Sequence, residues 1–383
     1  MRIEPDDEAA LSEALAAASG PMRIVGGGTR SPGAAGPSAV LSTARLGGIT
    51  LYEPGSLTLV AGAGTPLAAV ETALAGEGQC LPFEPMDARG LLGSSGNSTI
   101  GGVVAANVSG PRRVQAGACR DFLLGVRFVD GRGRVIRNGG RVTKNVTGYD
   151  LVKLMAGSHG TLGVLTEVAL KVLPAAAANA TLRLRDLDDT AAIRALSRAL
   201  GSPFDVSGAA HLPAGTKGRP ETLIRIEGFA DSVAYRGRRL AGLLGDFGAV
   251  EIETDPAATA TAWAGIRDVA AFHGRAGDVW RLSVKPSDGP EAVRRLAPDG
   301  AVYDWGGGRV WALVPAGTDA RARIGDLPGH ATLVRAASET CARLGVFPPE
   351  PAPVAALAAG LRARFDPRGI LNPGLMDPAG ELA

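Results

Sequence analysis

Glycine-dense stretches punctuate the first half of this 383-residue chain: Gly26-Gly27-Gly28-Thr29-Arg30, then Ser98-Thr99-Ile100-Gly101-Gly102 running to Asn107-Val108-Ser109-Gly110, then Gly157-Ser158-His159-Gly160-Thr161-Leu162-Gly163. Glycine enters the φ > 0 region that costs other residues about 1–2 kcal/mol, and it lets main-chain N–H groups approach a ligand with no side chain between. Successive inward-turned N–H groups make a concavity that attracts anions, as a pyrophosphate requires. The runs therefore predict a nucleotide cofactor. The alternative is a chain of 54 glycines in which some runs are ordinary turns.

Composition narrows the choice. At 383 residues and 45% hydrophobic, the chain is long enough for two or three domains. Forty basic and 38 acidic residues leave a formal charge of +2, which gives no electrostatic case for nucleic acid. Cys80, Cys119 and Cys341 are far apart with no C-x-x-C pair, so no metal site is expected here and an iron–sulfur cluster would have to belong to a partner. The N-terminus is acidic, and no segment reaches ~18 uninterrupted apolar residues. This predicts a cytoplasmic protein without a transmembrane segment, held at the inner membrane, if at all, through partners.

Local patterns give an α+β chain. Leu57–Ala61 alternates as a strand, and Thr65-Pro66 reads as cap and first-turn proline of a helix carrying Leu67, Val70 and Leu74. Phe122–Val129, Asp130-Gly131 and Val135-Ile136 predict a hairpin, and Leu162–Leu173 a further strand closed by Pro174. Ala175–Ala180 reads as a connection. Beyond it, 181–185, 191–200, 205–212, 222–228, 235–244 and 249–253 read as βαββαβ, repeated at 280–284, 290–296, 301–305, 309–314, 320–324 and 331–335. Two such halves can share one sheet. Pro353–Phe365 reads as a short amphipathic helix. The predicted divisions are 1–174, 175–350 and 351–383.

Known nucleotide motifs fail. Gly62-Ala63-Gly64-Thr65-Pro66-Leu67 has leucine where a Rossmann loop needs its third glycine, although Glu84 lies about 20 residues on, and no P-loop occurs. The ordered set of Gly26–Thr29, Leu81-Pro82-Phe83-Glu84-Pro85, Thr99–Gly102, Gly148-Tyr149-Asp150-Leu151, Gly157–Gly163 and Phe365-Asp366-Pro367-Arg368-Gly369-Ile370-Leu371-Asn372-Pro373-Gly374 instead resembles the FAD-linked oxidases of the vanillyl-alcohol oxidase type, in particular the FAD-binding subunits of glycolate oxidase.

That resemblance implies a two-part FAD-binding domain followed by a second α+β domain of duplicated ferredoxin-like units. It implies that Gly26, Gly27, Gly28, Thr29 and Arg30, with Thr99, Ile100, Gly101 and Gly102, hold the pyrophosphate, and that Asn107, Ser109 and Gly110 run under the flavin. Gly157, Gly160, Gly163 and Val164 are placed near adenine and ribose, and Pro85 and Asn372 also border the cofactor. Thr29 stands where covalent members carry histidine, implying noncovalent FAD. The implied reaction is oxidation of glycolate or another small 2-hydroxy acid. Such chemistry needs a cation for the carboxylate and a base for the hydroxyl proton. Arg281 is the candidate clamp, because its planar fork matches two oxygens, with Lys285 on the same strand face; a solvated edge-strand arginine is the other reading. His273 is the candidate base, whereas His211 and His330 read as surface residues near strand ends. The H-x-G-D-G-N metal-and-base motif of related D-2-hydroxy-acid dehydrogenases is missing. Three readings remain open: a subunit working with a paralogous flavoprotein and an iron–sulfur subunit, a self-sufficient FAD oxidoreductase for another alcohol, lactone or hydroxy acid, and a flavin-bearing relay.

Overall fold

Two β-sheet systems face one another in the computed structural model, which describes residues 1–30, 39–141, 148–215 and 218–376. The N-terminal system contains a small parallel sheet of Arg2–Ile3, Ala39–Ser42 and Met22–Val25 and a five-stranded antiparallel sheet ordered Ile49–Glu53, Thr58–Gly62, Val164–Lys171, Leu123–Val129, Val135–Gly139. The Asp130-Gly131 hairpin forms as read, with Asp130 itself fully buried and accepting from the N–H groups of Arg132 and Arg134. Helix Leu67–Gly76 buries Leu67, Val70 and Leu74 as its spacing requires. Thr65 does not cap it. Its hydroxyl bonds Gly48 and Gly62, and Pro66 stands at the N-cap.

The second system is one eight-stranded sheet. Its first half runs Val250–Glu253, Ala178–Arg185, Glu221–Gly228, Val206–Leu212; its second runs Gly300–Asp304, Arg309–Val314, Asp278–Val284, Gly329–Arg335. Helices Asp189–Leu200 and Ala230–Leu244 complete one βαββαβ unit, and Gly289–Leu296 and Ala320–Ile324 the other, so the fold is α+β with a duplicated ferredoxin-like part. All four pack on one face over Leu182, Ile224, Trp280, Leu282 and Ala312. Ala178–Ala180, read as linker, already belongs to the first strand.

The halves join where His211 pairs with Tyr303. His211 is fully buried rather than superficial: Nδ1 meets the Thr222 hydroxyl at 2.9 Å, Nε2 meets Asp189 at 3.3 Å, and the Tyr303 hydroxyl donates to the same Asp189 carboxylate at 2.5 Å. A strand-end position becomes interior because another half-sheet continues beyond it.

The opposite face of the sheet meets the N-terminal system. Met86, Ala88 and Leu91 pack on Val279, Val302, Trp311 and Leu313, while helix Pro256–Arg267 covers the first half through Trp263 and Ile266. Buried ion pairs cross this junction. Arg225 grips Glu84 with two 2.8 Å hydrogen bonds, and Arg112 grips Glu227 at 2.6 and 3.0 Å. Helix Ala352–Phe365 buries no residue completely and is not amphipathic; Val354, Leu357 and Leu361 are exposed. The segment after it returns to the N-terminal sheets, where Arg368 donates to the carbonyls of Leu15, Ala16, Ala18 and Gly131.

Candidate functional site

The first glycine run leaves strand Met22–Val25 and carries a row of unused donors. Among the described residues, the N–H groups of Gly26, Gly27, Gly28, Thr29 and Arg30 have no acceptor. Gly26 and Gly27 are half-buried and Thr29 is buried, while Gly28 is open, so the row has the form of an anion cradle. Gly28 has φ +74°, and a Cβ built there meets nothing within 4 Å, so this glycine opens into the cradle. The neighbouring glycines are needed for packing. A Cβ on Gly27 would lie 1.6 Å from the Asn97 carbonyl oxygen, and one on Gly26 would lie 2.3 Å from Thr99 Oγ1.

Thr99, Ile100, Gly101 and Gly102 behave differently from the sequence expectation. Ile100 N–H donates to Thr65 O at 2.9 Å, Gly101 to Ala63 O at 2.8 Å and Gly102 to Thr99 Oγ1 at 3.3 Å. This segment starts helix Ile100–Ala105 and supports the cradle from behind; the N–H groups of Ile100, Gly101 and Gly102 are already spent. Arg30 also braces, reaching Ser98 Oγ at 2.6 Å and the Met86 carbonyl, and burial lowers its pKa to about 10.

The Asn107–Gly110 segment is fixed from both systems. Asn107 Oδ1 accepts from Arg120 N–H at 3.0 Å, and Ser109 Oγ accepts from Cys119 N–H at 3.0 Å. From the large sheet, Arg309 donates to Ser109 O at 2.7 Å and Trp305 Nε1 to Gly110 O at 3.0 Å. Arg309 is itself paired with the buried Asp304. Pro85 is buried behind this segment, close to where Gly110 N–H meets Phe83 O at 2.8 Å.

In the third run, Gly160 (φ +73°) leaves its N–H without an acceptor among the described residues, as do Leu162 and Gly163. Gly157 instead donates to Val104 O at 3.2 Å, Gly163 packs against Phe128, and Val164 enters the strand ladder opposite Val129. Asn372 uses its side chain as a staple: Oδ1 accepts from Ile24 N–H at 2.7 Å and Nδ2 donates to His159 O at 2.8 Å. It positions the loop, with one amide hydrogen and one oxygen lone pair still uncommitted.

Arg281 lies on the sheet face turned toward these loops. Strand pairing sets it beside Trp311 on one side and Thr332 on the other. It makes no hydrogen bond or ion pair with any described residue. Burial, then repulsion from Arg309 and Arg113, lowers its pKa to about 10. Arg309 Nε and Trp311 Nε1 on the same face are buried donors without partners. Arg113 and Arg309 both stack on the Trp305 ring, at 4.6 and 4.0 Å from its centre. Arg309 is answered by Asp304, but Arg281 has no acidic partner among the described residues, and a guanidinium left so suits a carboxylate. The edge-strand alternative does not apply, because Arg281 sits between two strands.

Lys285 falls one residue beyond strand Asp278–Val284, is exposed, and begins a 3₁₀ turn, so strand alternation does not place it beside Arg281. His273 is also elsewhere: its Nε2 donates to Asp268 O at 2.8 Å and its ring lies over Gly90. That bond makes it a brace for the end of helix Pro256–Arg267. His159 is the imidazole inside the cofactor loop. It stands edge-on to Phe347 at 4.9 Å, and burial, then Arg281, pulls its pKa down to about 4. Sequence alone could have flagged its place in the loop, but not its meeting with Arg281. No group of acidic, histidine or cysteine side chains among the described residues could hold a metal, and no described helix is long and apolar enough to cross a membrane.

Known proteins share these features. A family model described as "FAD binding domain" matches residues 1–139. Glycolate oxidase subunit GlcE of Escherichia coli is 36% identical over 333 residues, covering 86% of this chain and 84% of that one. D-lactate dehydrogenase of Archaeoglobus fulgidus is 32% identical over 157 residues, 40% of this chain and 33% of its own. Glycolate oxidase subunit GlcD of Bacillus subtilis is 46% identical over 77 residues, 20% and 16% of the respective chains. Among solved structures, an alkyldihydroxyacetonephosphate synthase superposes with a TM-score of 0.69 at 18% identity, over 97% of this chain and 76% of that one, a likeness of fold. The cofactor these comparisons support is FAD, and the chain belongs to the family of FAD-linked oxidoreductase subunits that includes glycolate oxidase subunit GlcE.

Proposed function

We propose that this chain is the FAD-binding subunit of a complex that oxidises glycolate, and other small 2-hydroxy acids, to the 2-oxo acid. The observation that carries the substrate class is Arg281, a half-buried guanidinium with no counter-ion among the described residues, on the sheet face turned toward the cofactor loops. When bound, FAD supplies the hydride acceptor. In this reading residues 1–174 and the tail from 351 hold the cofactor, and residues 175–350 present the substrate. Arg281 holds the carboxylate, supported by the Trp311 indole N–H, and the closely packed junction limits water. The three scattered cysteines ligate no cluster, so electrons leave through partners, a paralogous flavoprotein and an iron–sulfur subunit.

Oxalate, a non-oxidisable mimic of the acid, tests the clamp. Arg281→Ala is expected to weaken oxalate-induced perturbation of the flavin spectrum by at least tenfold, the equivalent of one charge-assisted hydrogen bond at about 1.5–3 kcal/mol. Unchanged affinity in this variant would remove Arg281 from the site. The cofactor itself is expected to come away in the supernatant when acid or heat precipitates the protein, because Thr29 offers no nucleophile comparable to histidine. Flavin retained in the pellet would contradict noncovalent binding.

A further inference from the structure

A 2-hydroxy acid gives up two hydrogens, and Arg281 accounts for neither. We propose that His330 accepts the hydroxyl proton while Arg281 holds the carboxylate. The inference rests on the site reading above and moves the base from His273, the candidate read from sequence, to a histidine on the Arg281 face.

The strand register carries it. Gly329–Arg335 runs antiparallel to Asp278–Val284, with His330 opposite Ser283 and Thr332 opposite Arg281. Ala331 and Leu333 point into the helix-side core, so His330 and Thr332 share the other face with Arg281. His330 is solvent-accessible at the strand end, and neither ring nitrogen is engaged by a described residue. The remaining histidines are otherwise occupied: His273 bonds Asp268 O, and His211 is enclosed by Thr222 and Asp189. His159 has its pKa pulled too low to be an efficient base near neutrality.

The charged groups around His330 are cationic. Arg281 is in the same face and is itself repelled by Arg309 and Arg113, and Lys285 stands beyond the strand end; Asp304 is consumed by Arg309. Burial and Arg281 together lower the His330 pKa, which keeps the imidazole neutral and able to accept a proton at neutral pH. In the reaction a ring nitrogen takes the hydroxyl proton, the O–H electron pair becomes the second bond of the new carbonyl, and C2–H leaves with its pair as hydride to the flavin. The acid loses two electrons and the flavin gains them.

The test uses the FAD-replete full chain and its His330→Asn and Arg281→Met variants. NMR titration of the His330 ring should give a midpoint below the ordinary ~6.5, moving upward in Arg281→Met as the repelling charge is removed. Oxalate perturbation of the flavin should be within about threefold of wild type in His330→Asn and lost in Arg281→Met. Anaerobic flavin bleaching by glycolate should slow by roughly 10²–10⁴-fold in His330→Asn, the usual contribution of a positioned base. Its acid limb, where rate rises with pH as His330 loses its proton, should disappear. Wild-type bleaching with an intact acid limb in His330→Asn, while oxalate still binds, overturns this inference and leaves the clamp standing. Oxalate that fails to perturb even the wild-type flavin overturns the clamp as well.

Discussion

Gly28→Val is expected to yield a folded protein that elutes without FAD. At φ +74° a β-branched residue carries about 1–2 kcal/mol of backbone strain. The space that receives its side chain is open, so the fold can tolerate it, but that space is the cradle. Displacing even one pyrophosphate oxygen from the Gly26–Arg30 donors forfeits about 1–3 kcal/mol. The lost contact alone weakens FAD binding by roughly one to two orders of magnitude, enough to lose the cofactor on gel filtration, while the backbone strain lowers the stability of the fold itself. Gly101→Val should fail differently, because its Cβ would lie 2.7 Å from the Ala63 carbonyl oxygen. That substitution damages packing and should reduce soluble yield. The flavin-to-protein absorbance ratio and the apo-protein melting curve separate the two, and a fully yellow Gly28→Val protein would show that the pyrophosphate lies elsewhere.

Glu84→Gln should be strongly destabilising despite being near-isosteric. Glu84 accepts two hydrogen bonds from Arg225, which is 4% exposed, and a third from the Arg112 N–H at 2.8 Å. Arg225 also stacks on Trp263 at 4.7 Å and reaches Glu227 at 3.2 Å. Neutralising one carboxylate leaves this buried cluster with an excess cation, and breaking a buried pair costs about 3–5 kcal/mol. At roughly 1–2 °C per kcal/mol for a chain of 383 residues, apo-protein melting should fall by about 3–10 °C. A fall under about 2 °C would mean that the cluster is not holding the two sheet systems together.

Much of this architecture is legible locally. The duplicated unit is readable because each strand alternates and each helix repeats at 3.6 residues: Arg309–Val314 and Ala320–Ile324 fall where the pattern puts them. The glycine runs likewise announce a backbone cradle. What local sequence does not reveal is which glycine faces the ligand. Gly28 and Gly101 belong to similar runs, and only the tertiary neighbours Ala63 and Thr65, which take the Ile100 and Gly101 N–H groups, make one run open and the other closed. The same holds for side chains. Lys285 keeps the strand spacing from Arg281, but the strand stops at Val284 before Pro286. His211 becomes interior through the joining of two half-sheets, and Glu84 resembles a nucleotide-binding acid but clamps Arg225 instead. Helix Pro256–Arg267, rich in alanine and threonine, has too weak a periodic signal to be read.

The most direct test of the account is to mix the FAD-replete chain anaerobically with glycolate and follow the oxidised flavin band. The prediction is a stoichiometric bleach whose extent saturates with glycolate, with sustained turnover well below ~10 per second, the median for enzymes, until the partner subunits are supplied. A flavin that binds tightly yet stays fully oxidised at saturating glycolate would contradict the claim that the Arg281 face and the glycine cradle form one active site.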